Sequence, residues 1–398
     1  MDTDIAHYEA IDLLKKMIET PSVSRNEEQV ADLIEKYIRQ KGIDTHRKGN
    51  NIWTVSPDFD PEKPTILLNS HIDTVKPAIS WTLNPFEPVE EEGEIIYGLG
   101  SNDAGASVVS LLHSFLMLTE KEQPYNLIFL ASAEEEVSGK NGIECILPEL
   151  PEISFAVVGE PTGMHAAIAE KGLMVIDVTV HGKSGHAARN EGVNAIYEAL
   201  PVMCALRDFR FPLESQLLGA VKVSLTQVNA GTQHNVVPDC CSFVLDVRTN
   251  ELYSNEEAFE LIRNAALSAF TNAKLPENTE EGKNSEEVKN SEEIKSKEEI
   301  NNLLEIKARS FRLNSSRIEP EHPFIRRVRI MDRNLFGSPT LSDQALMPFP
   351  SVKMGPGDSA RSHTANEFIR RSEIREAIAI YVKLLDGIDL VKDKKYGI

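Results

Sequence analysis

The chain has 398 residues, and 41% of them are hydrophobic, which is ordinary for a soluble globular protein. This length suits two domains better than a single core. The formal net charge of -20 argues against nucleic acid as a partner, because binding phosphates needs a basic surface. Apolar stretches such as residues 127–131 are far shorter than the ~20 residues of a membrane span. The opening Met-Asp-Thr-Asp lacks the basic and apolar regions of a signal peptide, so we expect a cytoplasmic protein without a membrane partner.

The first part of the chain is predicted to alternate helices with short buried strands. Apolar residues at helical spacing predict one helix over residues 5–19 and a second that begins after Ser24. The elements predicted next are strand 65–69, helix 104–118, strand 126–131 and strand 155–158. This alternation is typical of an α/β layer with a mostly parallel sheet.

The middle of the chain follows a different pattern. Its predicted elements are strand 173–180, helix 194–207, strands 221–228 and 242–247, helix 256–270 and strand 303–313. This order is typical of a ferredoxin-like module. From about residue 320 the pattern returns to helix, strand, loop and helix. We therefore predict a mostly parallel-sheet α/β domain, formed by residues 1–171 and 319–398, that is interrupted by an inserted α+β domain over residues 172–318.

A charged segment stands out within the predicted insertion. Residues 283–300 form three imperfect repeats, KNSEEV, KNSEEI and KSKEEI. Residues 276–300 contain nine Glu and four Lys, so their net charge is 4 - 9 = -5. We interpret the segment as a solvated insertion, disordered or loosely helical, and the alternative is an interaction tail.

Acidic residues and histidines follow the ends of several predicted strands. A lone residue of this kind in a loop is usually just a hydrogen-bonded polar residue. Because the carboxyl ends of parallel strands meet at one edge of a sheet, these residues are expected to cluster, and cations would relieve the repulsion between them. Imidazoles with carboxylates and no cysteine suit Zn²⁺, Co²⁺ or Mn²⁺, and one bridging carboxylate allows two ions ~3.5–4 Å apart. The residues are His71, Asp73, Asp103, Glu134, Glu135, Glu160 and His363.

Six motifs together carry a resemblance to a known family: S-H-I-D-T, G-S-N-D-A-G, A-E-E-E, V-G-E-P-T, G-K-S-G-H-A-A and G-P-G followed by S-H. The chain resembles the dinuclear zinc amidohydrolases and peptidases that include acetylornithine deacetylase, succinyl-diaminopimelate desuccinylase, aminoacylase and glutamate-releasing carboxypeptidases. The likeness covers the chain except about residues 276–300. It implies that His71, Asp103 and Glu160 bind one metal ion. It implies that Asp103, Glu135 and His363 bind the other, with Asp103 bridging.

The same resemblance implies roles for residues that bind no metal. Glu134 matches the general base, and Asp73 matches the carboxylate that orients His71. His186 in the inserted domain matches a donor to the developing oxyanion, which in several family members comes from the partner subunit. A homodimer with a mobile lid is therefore expected. The predicted substrate contacts are Arg248 and Asn235, with Arg361 and Arg312 as further candidate anion binders.

The C-terminal part points to a branch of the family. The stretches S-P-T-L-S-D-Q-A-L-M and G-P-G-D-S-A-R-S-H-T-A-N-E-F look most like a bacterial acetylornithine deacetylase. This resemblance implies hydrolysis of N-acetyl-L-ornithine to ornithine and acetate in arginine biosynthesis. The alternatives are desuccinylation of N-succinyl-L-ornithine or succinyl-diaminopimelate, a metal-dependent dipeptidase or aminopeptidase, and a non-catalytic binding protein on the same scaffold.

Overall fold

The structure is a computed structural model, and it describes residues 3–273 and 302–390. Contacts within it divide the chain into two units. The first unit consists of Met1–Glu170 and Ser316–Ile398, and the second of Lys171–Ser315. The sequence placed these boundaries after residues 171 and 318. The charged segment 276–300 lies outside the described residues, and its interpretation stays a prediction.

The helices of the described part of the chain are numbered from its N-terminus. They are α1 (Thr3–Ile18), α2 (Glu28–Gln40), α3 (Ala106–Leu118), α4 (Ile143–Ile146), α5 (Ala195–Asp208), α6 (Asn255–Asn272), α7 (Pro323–Ile330) and α8 (Arg371–Leu385). No helix of residues 3–273 and 302–390 is both long and apolar enough to span a bilayer.

The strands of the same residues are also numbered along the chain. They are β1 (His46–Lys48), β2 (Asn51–Val55), β3 (Thr65–His71), β4 (Val89–Glu91), β5 (Ile95–Tyr97), β6 (Asn126–Ser132), β7 (Phe155–Val158), β8 (Ala166–Glu170), β9 (Met174–His181), β10 (Gly185–His186), β11 (Lys222–Ala230), β12 (Val236–Val237), β13 (Cys240–Arg248), β14 (Leu304–Ala308), β15 (Ser316–Arg317), β16 (Leu335–Ser338), β17 (Ser351–Lys353) and β18 (Phe368–Arg370).

The first unit is built on one large sheet with the strand order β1-β2-β6-β3-β7-β17-β8-β15, and β16 pairs with β8. The central strands β6, β3, β7 and β17 are parallel, whereas β1, β2 and β15 pair antiparallel at the two sides. His71 at the end of β3 lies opposite Ser132 at the end of β6. The carboxyl ends of these strands therefore meet at one edge, which is where α/β sheets bind ligands.

The central strands and helix of this unit are buried, which explains why their sequences are mostly apolar. Strands β3 and β6 are buried at every position, as expected for parallel strands covered on both faces. Helix α3 is buried everywhere except Met117, because it is apolar around its whole circumference and contacts α1, α8 and β3. The sequence placed the start of this helix at residue 104. The preceding turn, Ser101–Gly105, instead has non-helical backbone at Asp103 and Ala104.

The second unit has an antiparallel sheet in the order β11-β13-β9-β14, with α5 and α6 packed against it. Strand β9 alternates buried and half-buried residues, as a strand with one covered face should. Helix α6 begins with a capping box in which Ser254 and Glu257 satisfy each other's backbone N–H groups. The strand-helix-strand-strand-helix-strand order is the predicted ferredoxin-like one, and the predicted fold class is confirmed.

One predicted element of the second unit is too long. The sequence favours a strand over residues 303–313, whereas β14 ends at Ala308. The buried side chain of Asn255 donates to the backbone oxygens of Phe311 (3.1 Å) and Leu313 (2.8 Å). The Leu313 oxygen also accepts from the backbone N–H of Leu173 at 2.9 Å, so the chain beyond Ala308 stays beside the start of β9 in irregular backbone.

Candidate metal centre

A first group of metal-binding side chains lies at the carboxyl edge of the central sheet. His71 is 2% exposed, and its Nδ1 donates to the backbone oxygen of Asp73 at 2.9 Å. Its Nε2 is turned toward the other side chains, 3.2 Å from Asp103 Oδ1 and 3.8 Å from Glu160 Oε1. One ligand atom each from His71, Asp103 and Glu160 lies within 4.8 Å of the others, so the three side chains could hold a metal ion.

A second group shares Asp103 with the first. Asp103, Glu136 and His363 also offer ligand atoms within 4.8 Å of one another. His363 Nε2 lies 3.0 Å from Glu136 Oε2 and 3.7 Å from Asp103 Oδ2, and the His363 side chain is 55% exposed. Asp103 thus turns one oxygen to each histidine, which is the arrangement of a carboxylate that bridges two ions.

The glutamate of the second group is one residue further along the chain than predicted. The sequence prediction placed Glu135 with Asp103 and His363, whereas Glu136 lies there. The backbone turns at Glu134, where φ is 55°, and a short helical turn over Glu135–Val137 follows. This places Glu136 in the second group. The Glu134 carboxylate, predicted to be the general base, instead accepts a hydrogen bond from Asn141 Nδ2 at 3.0 Å and belongs to neither group.

Glu135 lies in the same cavity without being part of either group. The cavity has a volume of about 430 Å³, and Glu135 lines it together with Asp103, Glu136, Glu160 and His363. Burial raises the pKa of Glu135 well above its ordinary value, and the neighbouring Glu160 carboxylate adds to the rise. A carboxyl group that lines the cavity beside both ligand groups is placed for general acid–base chemistry.

Asp73 forms hydrogen bonds with a residue of each ligand group, His71 in the first and Glu136 in the second. Its buried carboxylate accepts hydrogen bonds from the N–H groups of Glu135 (3.0 Å) and Glu136 (3.1 Å) and from Ser24 Oγ (2.7 Å). Burial alone would raise the pKa of Asp73, but these bonds and the neighbouring His71 hold it below its ordinary value. The predicted orientation of His71 comes mainly from the Asp73 backbone oxygen, because the carboxylate is 3.5 Å from Nδ1.

Two buried residues beside the centre were missed in the sequence. The Glu367 carboxylate accepts hydrogen bonds from the turn that carries Asp103. The Asn102 side chain donates a hydrogen bond to the loop that carries His363. Both residues stand inside motifs already noted, G-S-N-D-A-G and S-H-T-A-N-E-F. The only signal in the sequence was their closeness to a predicted ligand.

Zinc binding at pH 7 is expected to release protons from the ligand side chains. Burial raises the pKa of Glu160 to about 8, and the bond to Glu136 raises the pKa of His363 to about 9, so both hold a proton at pH 7 without metal. Each must lose that proton to bind an ion, so zinc affinity should rise with pH up to about 9. Calorimetric titrations at pH 7 in buffers of different ionisation enthalpy measure the release. Zinc binding with no buffer dependence would contradict these protonation states.

The predicted substrate contacts divide between the two units. In the second unit, His186 pairs with Val236 across β10 and β12, and the N–H of Ala187 donates to the Asn235 backbone oxygen at 3.1 Å, so His186 and Asn235 lie close together. Arg248 forms an ion pair with Asp246 at 2.9 Å. Arg312 follows β14, and its N–H donates to Ser310 Oγ at 3.3 Å.

Arg361 lies in the first unit, and its guanidinium is already engaged. It donates to both oxygens of Glu373, at 2.8 and 3.1 Å, and it lies 4.4 Å from the centre of the Phe368 ring. An arginine binds a carboxylate through its guanidinium N–H groups, and those of Arg361 already donate to Glu373 while its planar face stacks on Phe368. Arg361 thus has a structural contact in the described residues, and its predicted anion binding stays a prediction.

Comparison with known proteins agrees with this fold and site. Residues 67–387 match Peptidase family M20/M25/M40. Among curated relatives, a Paracoccidioides lutzii protein named "Probable carboxypeptidase" is 29% identical over 283 residues, and the match spans 64% of this chain and 63% of that protein. A succinyl-diaminopimelate desuccinylase of Corynebacterium glutamicum is 30% identical over 260 residues, spanning 62% of this chain and 68% of the relative.

Solved structures share the fold over nearly the whole chain. The aminopeptidase PepT from Bacillus cereus superposes with a TM-score of 0.71 at 17% identity, covering 95% of this chain and 98% of that one. YXEP from Bacillus subtilis, described as a dinuclear metal binding peptidase, gives a TM-score of 0.68 at 16% identity over 96% and 98%. The protein therefore belongs to the M20/M25/M40 peptidase family, a family of hydrolases.

Proposed function

We propose that the protein hydrolyses a linear amide bond with two divalent metal ions, zinc being the first candidate. The observation that carries the proposal is the position of Asp103 between two groups, each completed by one imidazole and one further carboxylate. The donor set fits such ions, because His71 and His363 supply nitrogen and Asp103, Glu136 and Glu160 supply oxygen. Buried carboxylates this close together would otherwise repel one another.

The protein side chains have separate tasks in this reaction. When bound, two such ions would polarise the amide carbonyl and lower the pKa of water. Glu135 would take a proton from the attacking water and deliver it to the leaving nitrogen, since its carboxyl group lines the cavity and belongs to neither group. Asp73 would keep His71 and the Glu135–Glu136 turn in place through the hydrogen bonds described above. His186 of the second unit is proposed as the donor to the developing oxyanion.

N-acetyl-L-ornithine is the substrate we propose first. The C-terminal motifs resemble those of acetylornithine deacetylases, and the pairing of Lys353, the lysine that lines the cavity, also favours a small uncharged acyl group. Lys353 lines the cavity, but its Nζ lies 3.1 Å from Glu170 Oε2 and donates to the backbone oxygen of Thr340 at 3.0 Å. Arg361 is bound to Glu373. A succinyl group would need a cation with no such partner for its second carboxylate.

Two relatives give reasons to test other substrates. The Corynebacterium glutamicum relative is named a desuccinylase, and the Paracoccidioides lutzii relative is named a carboxypeptidase. The test compares kcat/KM of the zinc-loaded protein for N-acetyl-L-ornithine, N-succinyl-L-ornithine and a dipeptide. We expect a clear preference for the acetyl substrate. Turnover of N-acetyl-L-ornithine no faster than that of the other two substrates would contradict the proposed substrate and leave the proposed metal chemistry standing.

We also propose that the second unit forms a homodimer through β11. This strand is at the edge of its sheet, and all its residues from Leu225 to Ala230 are exposed, so both of its faces are uncovered. Leu225 and Val228 on this strand are 42% and 51% exposed, and Leu200 on α5 is 47% exposed. An edge strand with exposed apolar residues is a template for pairing with a second chain.

Placing lysine on this edge should separate the dimer, because two copies of the charge would face each other across the interface. Sedimentation equilibrium of wild type is expected to give twice the mass of one chain. The double variant Leu225→Lys/Val228→Lys should give the mass of one chain. Leu252→Lys is the matched control, since Leu252 is 37% exposed in the same unit but lies outside this strand. A monomeric wild type, or a double variant that remains dimeric, would contradict the proposal.

A further inference from the structure

We infer that Glu367 and Asn102 are positioning residues that fasten the Asp103 turn to the His363 loop, and this inference rests on the proposed metal-dependent function. Neither side chain belongs to the two ligand groups. Both are nearly inaccessible, with Glu367 2% exposed and Asn102 0% exposed. Their hydrogen bonds show what each of them holds.

Glu367 holds the backbone of the turn that presents Asp103. Its Oε1 accepts from the N–H groups of Asn102 and Asp103, both at 2.8 Å, and its Oε2 accepts from the N–H of Gly100 at 3.1 Å. Three donors of one turn thus converge on one buried carboxylate. Gly100 has a φ of 75°, which a residue with a side chain adopts only with strain, so the backbone can bend this sharply.

Asn102 fastens the same turn to the loop before His363. Its Nδ2 donates to the Asp358 backbone oxygen at 3.1 Å and to Ser362 Oγ at 3.3 Å, and its Oδ1 accepts from the Asp358 N–H at 3.0 Å. Gly357 makes room for this contact, because a Cβ there would lie 2.2 Å from Asn102 Oδ1. The amide of Asn102 is thereby satisfied on both its oxygen and its nitrogen.

The consequence concerns the geometry of the second ligand group. His71 stands at the end of the fully buried strand β3, which holds it in place without these contacts. Asp103 and His363 instead stand in a turn and a loop, and Glu367 follows His363 by four residues. Glu367 and Asn102 therefore set the distance between the shared carboxylate and the exposed histidine. Removing either contact should weaken metal binding more than it weakens the fold.

The test measures zinc affinity with a competing chromophoric chelator, for wild type and for Glu367→Gln, Asn102→Ala and the control Glu257→Gln. The Glu257 carboxylate also accepts a backbone N–H, from Ser254 at 2.9 Å, but it caps α6 in the second unit. Thermal unfolding of the zinc-free proteins measures the effect on the fold. We expect Glu367→Gln and Asn102→Ala each to weaken at least one zinc equivalent by about 10- to 100-fold, as outer partners of metal ligands do.

The control is expected to bind zinc as wild type does, and zinc-free Asn102→Ala is expected to unfold cooperatively within a few degrees of wild type. Zinc affinity unchanged in both variants would overturn the inference. So would a loss of affinity in Glu257→Gln equal to that in Glu367→Gln, because a merely structural role would weaken both alike. The wild-type arm separates the two claims: a wild type that binds no zinc contradicts the proposed function itself. Two bound zinc ions in wild type with unaffected variants contradict only the positioning role.

Discussion

Replacing Glu135 with glutamine is expected to lower kcat by about 100- to 10,000-fold, the usual contribution of a general base. The amide fills the same space but cannot accept the proton of the attacking water. Because Glu135 belongs to neither ligand group, the variant should keep its bound zinc. Steady-state kinetics with N-acetyl-L-ornithine, or with whichever substrate proves best, together with zinc analysis of the same sample, measure both quantities.

Glu134→Gln is the matched control for this experiment. It makes the same chemical change one residue earlier, in a side chain that bonds to Asn141. Glutamine keeps an oxygen that can accept from Asn141, so most of the activity should remain. A larger loss in Glu134→Gln than in Glu135→Gln would return the role of base to Glu134, as the sequence first indicated.

Replacing Asp103 with alanine is expected to abolish activity and to remove both zinc ions. Asp103 is the one residue shared by the two groups, so its loss leaves each with a single imidazole and a single carboxylate. The fall in zinc affinity should exceed the roughly 10- to 100-fold that follows loss of an outer partner. Zinc content after dialysis, measured by mass spectrometry, is the readout.

Asp343→Asn provides the control for removing a buried charge near the centre. Asp343 is 4% exposed and accepts from Asn69 and Ser132, but it belongs to neither ligand group. This variant should retain zinc. If Asp103→Ala still bound two zinc equivalents, a bridging role for Asp103 would be wrong.

Much of the fold could be predicted, because its strongest determinants are local. The continuous apolar runs of β3, β6 and β7 are typical of buried parallel strands, and α3 is apolar on all sides. The edge of the sheet where the ligands meet follows from the direction of these strands. The early end of β14 could not be predicted, since the residues that follow it make irregular contacts, such as those of Leu313 with Asn255 and Leu173, that no local pattern reveals.

The sequence alone could not predict where each of the three glutamates after β6 points. Three consecutive glutamates carry no information about which one faces the centre. The choice depends on the positive φ at Glu134, on Asn141 and on the N–H groups that Asp73 accepts, and these are tertiary contacts. A shift of one residue turns a side chain to a different neighbour, so the second group contains Glu136 where Glu135 was predicted.

The contacts of Glu367 and Arg361 also could not be predicted from the sequence. Glu367 was not identified as a site residue, whereas Arg361 was expected to bind anions. Glu367 bonds to the backbone of Asp103 across 264 residues, and no spacing rule reveals such a contact. Arg361 was a further candidate anion binder in the sequence. Its partner Glu373 is 12 residues away on the first turn of α8, and only the folded structure brings the two together.

The central claim is that Asp103 bridges two metal ions, with Glu136 and His363 binding one of them. Anomalous diffraction at the zinc edge, from crystals grown with zinc, tests this claim most directly. The predicted result is two peaks ~3.5–4 Å apart on either side of Asp103, one beside His71 and Glu160 and the other beside Glu136 and His363. A single peak, or a second ion bound by Glu135 with Glu136 turned away, would contradict it.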